Sequence, residues 1–332
     1  MKTTMPKALL SLALLLALLP LSASAQVFVT SPDTGSDFLA EFSTSLTNQG
    51  SGTVVPGVTD SAGVATILGS DLLVGNGSTV SEYGFSGGTA LQSFNVGGTV
   101  AALLTNGNDL YVAEGNAVKE YSISGNTASQ LGTFSLSVSA GSTINALAIS
   151  GTTLFAITSY ESDTVSEFNA TTGASLSVPL TITLQAGASS DIGGLAIYGN
   201  NLLVVNRDGT GSDPADDGSV TAYNLGTNAQ TLLVQNLQEA GGIAVLGSDI
   251  YVTEDGNGSG VSGGNGTPGS GSGELLEYGL NAAGTATTSM TTIGTGLEYP
   301  QAVAAVPEPY SLAMGVIVVA LFGVLRLRAR TS

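Results

Sequence analysis

Carboxylates are the side chains of this sequence with the most chemistry to offer. Asp60, Asp191 and Glu239 stand three residues before the first small residue of a recurring apolar run, Thr99 and Thr143 hold that place in two other copies, and Glu298 lies close to it in a sixth. If the copies are arranged around one axis, four carboxylates converge on a single mouth. Convergent carboxylates attract a hard cation such as calcium, which takes oxygen ligands. Asp and Thr are also ordinary choices for loop caps and turns. A second acidic group, Asp208, Asp213, Asp216 and Asp217, lies in the segment RDGTGSDPADDG. Closely spaced acids among glycines suit calcium. The spacing is not that of an EF-hand loop, however, and no bidentate Glu follows where that loop needs one, so a solvated acidic loop is the simpler account.

What the sequence lacks narrows its chemistry further. There is no histidine and no cysteine. This removes the commonest general base, the Ser-His-Asp and Cys-His arrangements, imidazole and thiolate metal sites, and disulfides. Any reaction would have to run on carboxylates, hydroxyls, Lys119 or Arg207. That is a severe constraint for an enzyme and none for a binding or structural module. The glycine-rich GNGSGVSGG lacks the lysine and the following helix of a phosphate cradle.

The two chain ends differ from the body between them. Residues 1–25 place Lys2 and Lys7 ahead of a Leu/Ala run, then Pro20, then Ala23-Ser24-Ala25, the three-part layout of a secretory signal peptide. Small residues at Ala23 and Ala25 suit signal peptidase, and the expected new N-terminus is Gln26. Residues 26–305 carry 24 acidic side chains against two basic ones, a formal charge of −22. A body so acidic repels phosphate backbones, so no nucleic-acid partner is expected. Cations, neutral glycans and basic partners fit it better.

Within this body the sequence repeats. Small-apolar runs beginning at Gly63, Ala102, Ala146, Gly194 and Gly242 each pass through a Gly- or Asn-containing turn into a second apolar run. Each then reaches a tetrad of the form hydrophobic-x-Glu-aromatic, such as Val80-Ser81-Glu82-Tyr83 and Val118-Lys119-Glu120-Tyr121, with Ala222 in place of Glu in the copy that ends at Tyr223. Successive copies are displaced by about 40–50 residues, the period of propeller blades. The runs are short and β-branched, and they read as strands joined by hairpins. In each tetrad, alternation puts the first hydrophobic residue and Glu on one face and the aromatic on the other. Stretches such as TALQSFNV and ASQLGTFSLSV supply an outer fourth strand.

A sixth copy is split between the ends. YPQAVAAV, ending at Val306, reads as the first strand of a blade whose second and third strands lie in VFVTSPDTGSDFLAEF, from Val27 to Phe42. Joining them closes a ring and removes the open inner edge. The expected fold is therefore all-β, a six-bladed β-propeller over residues 26–306. A β-solenoid or a sandwich would also give many short strands, but neither explains complementary half-blades at the two ends. The insertion EDGNGSGVSGGNGTPGSGSGE reads as a linker-like loop.

The runs GIAVLGSDIYV and GLAIYGNNLLV resemble the blade pattern of NHL-type and gluconolactonase-like propellers. The likeness spans all six copies loosely and these two closely. It implies the fold, and it implies activity only weakly, because propellers host many functions.

After the sixth copy the chain reads Val306-Pro307-Glu308-Pro309, then an apolar run over residues 310–325, then Arg326, Arg328 and Arg330. The prolines break any helix before that run, the run approaches the length of one membrane span, and the arginines favour the cytoplasmic side. Residues 307–332 closely resemble the PEP-CTERM sorting signal of Gram-negative bacteria. The resemblance implies recognition by an exosortase, a transient inner-membrane anchor, processing near residues 307–309, and delivery to the cell surface or extracellular polysaccharide. The expected function is a surface-sorted, non-catalytic propeller that binds exopolysaccharide or surface proteins, or is structural in the matrix. The alternative is a calcium-dependent lactonase or hydrolase. No cofactor is required by the first, and calcium by the second.

Overall fold

The computed structural model describes residues 25–31, 38–45, 49, 52–55, 64–85, 87–125, 127–136, 143–158, 164–176, 179–186, 192–207, 218–254, 273–297 and 300–306. Gln26–Val306 is one compact unit. Its described residues form 24 strands in six four-stranded antiparallel sheets, with no helix.

Each sheet is one blade. The first joins β1 (Gln26–Ser31), β2 (Phe38–Ser43) and β3 (Thr53–Val54) to the last strand of the chain, β24 (Val303–Val306), in the order β24-β1-β2-β3. The second holds β4 (Val64–Leu68), β5 (Asp71–Asn76), β6 (Thr79–Gly84) and β7 (Gln92–Asn95). The third holds β8 (Ala102–Asn106), β9 (Asp109–Glu114), β10 (Ala117–Ile123) and β11 (Ala128–Ser135). The fourth runs through β12 (Ala146–Ser150), β13 (Thr153–Ile157), β14 (Thr164–Asn169) and β15 (Leu180–Thr181). The fifth runs through β16 (Ile192–Tyr198), β17 (Asn201–Asn206), β18 (Gly218–Asn224) and β19 (Gln230–Leu237). The sixth runs through β20 (Ala240–Leu246), β21 (Asp249–Glu254), β22 (Gly273–Leu280) and β23 (Thr287–Leu297).

The innermost strands β4, β8, β12, β16, β20 and β24 pack side by side in sequence, and β24 returns to β4. The ring is closed, and the split blade expected from the two chain ends is present. Its ladder pairs Gln26 with Val306 and Val29 with Val303. Thr30 N donates to Ala302 O at 3.0 Å and Gln301 N to Thr30 O at 3.1 Å, extending it.

The second strand of each blade is covered on both faces by neighbouring blades. Its sequence is therefore a continuous apolar run rather than an alternating one. LLVG in β5, LYVA in β9 and IYVT in β21 are buried at all four positions.

The tetrads on the third strands hold the blades to one another. Six apolar clusters lie at the six blade interfaces, and each contains the first residue of one tetrad with the aromatic of the next. Leu39 meets Tyr83, Val80 meets Tyr121, and Val118 meets Phe168. Val165 meets Tyr223, Val220 meets Tyr278, and Leu275 meets Phe42, which returns to the first blade. Alternation makes this chain possible, since positions i and i+3 of a strand point to opposite faces. Full burial of an apolar side chain contributes about 1.5–3 kcal/mol, so each pair adds to the cluster that joins its two blades.

The tetrad glutamates are held by side chains of their own blades. Glu82 is 3% exposed and accepts from Gln92 Nε2. Glu41 accepts from Gln26 Nε2, and Glu120 accepts from the Tyr111 hydroxyl at 3.1 Å. Burial raises the carboxyls of Glu41, Glu82 and Glu277 above their ordinary range. Burial, with Glu120 second, pushes the Tyr111 phenol up to about 12.

Candidate functional site

The register of the inner strands defines what lines the central channel. Ala65, Leu103, Leu147, Leu195, Ile243 and Val303 occupy one position, since each pairs with the equivalent residue of its second strand: Val74, Val112, Ala156, Val204, Val252 and Val29. All six line both of the cavities found along the axis. They form an apolar girdle shared by the two cavities.

Side chains on one face of a strand recur every second residue, so the layers on either side of the girdle lie two positions away. Towards the strand ends the layer is Ile67, Thr105, Ile149, Ile197, Val245 and Ala305, which line a cavity of about 420 Å³. Towards the strand starts the described members are Ala101, Asn145, Gly193, Gly241 and Gln301, in a solvent-open cavity of about 320 Å³. This second cavity is the channel mouth.

Three polar side chains line it. Gln301 is exposed, and Asn145 and Arg207 are half-buried. Asn145 Oδ1 accepts from Thr143 Oγ1 at 3.2 Å, while its Nδ2 is buried with no hydrogen-bond partner. Arg207 follows the end of β17. The only ion pair among the described residues is Lys119 with Glu114 at 3.0 Å, so the guanidinium has no carboxylate partner among them.

Glycine makes room for this arrangement. A Cβ on Gly193 would lie 2.6 Å from Arg207 Cγ, and one on Gly242 would lie 2.5 Å from Gln301 O. Real Cβ atoms do not approach so closely. The paired glycines of β16 and β20 therefore let adjacent blades close in at the mouth while the arginine stem lies over Gly193. Register shifts between Ile192 and Gly194 and between Ala240 and Ile243 mark the same two strand starts.

Of the acids expected at the mouth, only Glu239 falls within the described residues. It is half-buried in the turn from β19 to β20 with a left-handed backbone, φ 46°, and lines neither cavity. Thr99 and Thr143 are exposed and line neither cavity. Asp60, Asp191 and Glu298 lie outside the described residues, as do Asp208, Asp213, Asp216 and Asp217. Ala23 and residues 307–332 are outside them too, while Ala25 and Val306 are within and buried.

No three acidic side chains among the described residues are grouped to hold a metal ion. In the described lining Arg207 offers donors alone, and the oxygen acceptors are the carboxamides of Asn145 and Gln301 and the backbone carbonyls. The sequence signal that could have found the site is Arg207 itself, one of two basic residues in the acidic body.

No family model matches this chain, and no curated protein matches it. Many solved structures share its architecture. A protein of unknown function from Bacteroides caccae is similar with a TM-score of 0.55 at 13% identity, covering 86% of this chain and 99% of that one. A chain of a nidogen/laminin complex is similar with a TM-score of 0.55 at 10% identity, covering 86% and 98%. At such identities the likeness concerns the fold alone. A six-bladed propeller is also the fold implied by the resemblance to NHL-type and gluconolactonase-like blades.

Proposed function

We propose that this chain is an exported, surface-sorted, non-catalytic β-propeller that binds a component of the extracellular polysaccharide matrix of a Gram-negative bacterium. The binding part rests on one observation, the solvent-open mouth in which Asn145, Arg207 and Gln301 present polar groups beside an apolar girdle. Such a site is concave and has few polar groups, as ligand pockets generally are. The sorting part rests on the signal layout ending at Ala25 and the Val306-Pro307-Glu308-Pro309 tail with Arg326, Arg328 and Arg330.

The β1–β24 ladder supports processing at both ends. Gln26 pairs with Val306, so cleavage before the one by signal peptidase and after the other in the exosortase pathway leaves the split blade whole. The anchor is then disposable, and the ring is the mature product.

Expression of the full chain in a host with and without an exosortase tests the sorting. The processed ring is expected at the surface only with the enzyme, and an unprocessed chain held in the inner membrane in both hosts refutes it. The competing lactonase requires calcium at the mouth to polarise a carbonyl, with an unligated carboxylate as base. A saturating calcium isotherm together with lactone turnover would replace the binding reading by the enzymatic one.

A further inference from the structure

The geometry points to a ligand for the channel mouth: a single carboxylate on a group of monosaccharide size, such as a terminal uronic acid of an otherwise neutral glycan. The inference rests on the binding reading above and specifies its ligand class.

The first argument is the mismatch of donors and acceptors. Arg207 lines the cavity, brings five N–H donors and no acceptor, and has no carboxylate partner among the described residues. Asn145 Nδ2 is buried out of reach, so the guanidinium is the donor that a ligand meets. A planar guanidinium matches a carboxylate in a two-point fork.

The second argument is charge. Residues 26–305 hold 24 acids and two bases, and one base, Lys119, is already paired with Glu114. The acidic body repels a polyanion along its length, while the described lining of the mouth offers one cation and no carboxylate. One negative charge is accommodated and a run of them is not. A polyuronate or sulfated chain is therefore the wrong partner, and an isolated carboxylate the right one.

The third argument is size and wall chemistry. About 320 Å³ is at the lower end for small-molecule pockets, which span about 300–1,000 Å³. The glycines on one side expose backbone, and Gln301 adds a carboxamide that can both donate to and accept from sugar hydroxyls. A peptide C-terminus also carries a carboxylate, and the peptide arm of the test below separates it from the sugar.

The test is calorimetric titration of the detergent-solubilised full chain with methyl glucuronoside, its neutral counterpart methyl glucoside, and a short neutral peptide with a free C-terminal carboxylate. Glucuronoside is expected to bind, and glucoside at least about tenfold more weakly, the loss for one charge-assisted hydrogen bond. Arg207→Gln is expected to remove that preference, and Asn145→Asp to reverse it by placing a like charge at the mouth. Raised ionic strength should weaken glucuronoside and leave glucoside unchanged.

Equal affinity for the two sugars in the unaltered chain overturns the inference, whatever the variants do. So does an Arg207→Gln protein that melts normally and still prefers the acid. Tighter binding of the peptide than of the glucuronoside overturns the sugar assignment. These failures leave surface sorting intact, because localisation is read by a different assay.

Discussion

The ring closure can be tested at one pair of residues on either side of its seam. Phe42, in the blade made from both chain ends, is fully buried against Leu275, Ile293 and Leu297 of the sixth blade. Its ring is seated between two glycines. A Cβ at Gly52 would lie 2.7 Å from Phe42 Cζ, and one at Gly294, on β23, would fall well inside contact distance of Cε1. Phe42→Ala should cost about 3–5 kcal/mol through lost burial and the cavity left behind. Gly294→Ala should cost about 1–3 kcal/mol, because the trapped ring cannot swing away from the new methyl. In the double variant that methyl enters space vacated by the ring, so it should cost close to nothing. The double variant is thus expected to be more stable than the sum of the single effects by about 1–3 kcal/mol. With no tryptophan and ten tyrosines in the sequence, urea unfolding followed by tyrosine fluorescence and circular dichroism gives the three values. Additivity to within about 0.5 kcal/mol would refute the seam contact and with it the closed ring.

Three further outcomes follow from the fold. Burial raises the Glu41, Glu82 and Glu277 carboxyls above 4.5, so the folded state holds those protons more tightly than the unfolded chain; stability should rise as pH falls through the raised values and level off below about 4.5. Calorimetry should show a higher Tm near pH 5 than near pH 8, with a smaller gain in Glu82→Gln, and a Tm that falls over that interval contradicts the assignment. Ending the chain before Val303 removes β24 and exposes the β1 edge, so soluble monomer should be lost, whereas ending it after Val306 should keep it, as size-exclusion chromatography can show. Lys119→Met deprives Glu114, 9% exposed at its side chain, of its ion pair with Lys119 and Val96 O of a donor, and urea unfolding should register a loss of about 2–4 kcal/mol.

The sequence patterns carried the ring further than the site. The tetrads were legible because their hydrophobic and aromatic positions obey period 2 and recur at blade spacing, and the structure puts all six aromatics against the preceding blade. The split blade was legible for a related reason, since VAAV and VFVT are the missing inner and second strands of one motif. The mouth was harder. Counting three residues back from a small residue assumes that every inner strand starts in the same phase. β16 and β20 start early, at Ile192 and Ala240, and each contains a register shift, so the count leads to Glu239 in a left-handed turn instead of a lumen position. Counting in twos from the girdle instead reaches Ala101, Asn145, Gly193, Gly241 and Gln301. The remaining member of the site, Arg207, comes from the end of a second strand and could not be found by any reading of the first strands alone.

The distribution of variety around the axis is what singles out the mouth. The girdle is apolar in every blade, and five of the six residues in the layer beyond it are apolar, with Thr105 donating its hydroxyl to Ile67 O at 2.7 Å. Those layers are constrained by packing between neighbouring strands, which tolerates little change of shape. At the mouth the equivalent positions range from glycine to two carboxamides. The residue three positions beyond the girdle partner on the second strand is Gly77 in the second blade, Gly115 in the third and Arg207 in the fifth. In sequence the other three copies have Pro32, Ser159 and Asp255 there, so Arg207 is the one basic residue of the set, and the Gly193 opposite it is what permits the stem to lie down. Gly193→Ala should therefore evict the Arg207 side chain from the mouth without removing its charge from the protein. Arg207→Gln and Gly193→Ala should then weaken an acidic ligand alike, and a Gly193→Ala protein that folds and binds unchanged would show that the guanidinium acts from elsewhere or not at all.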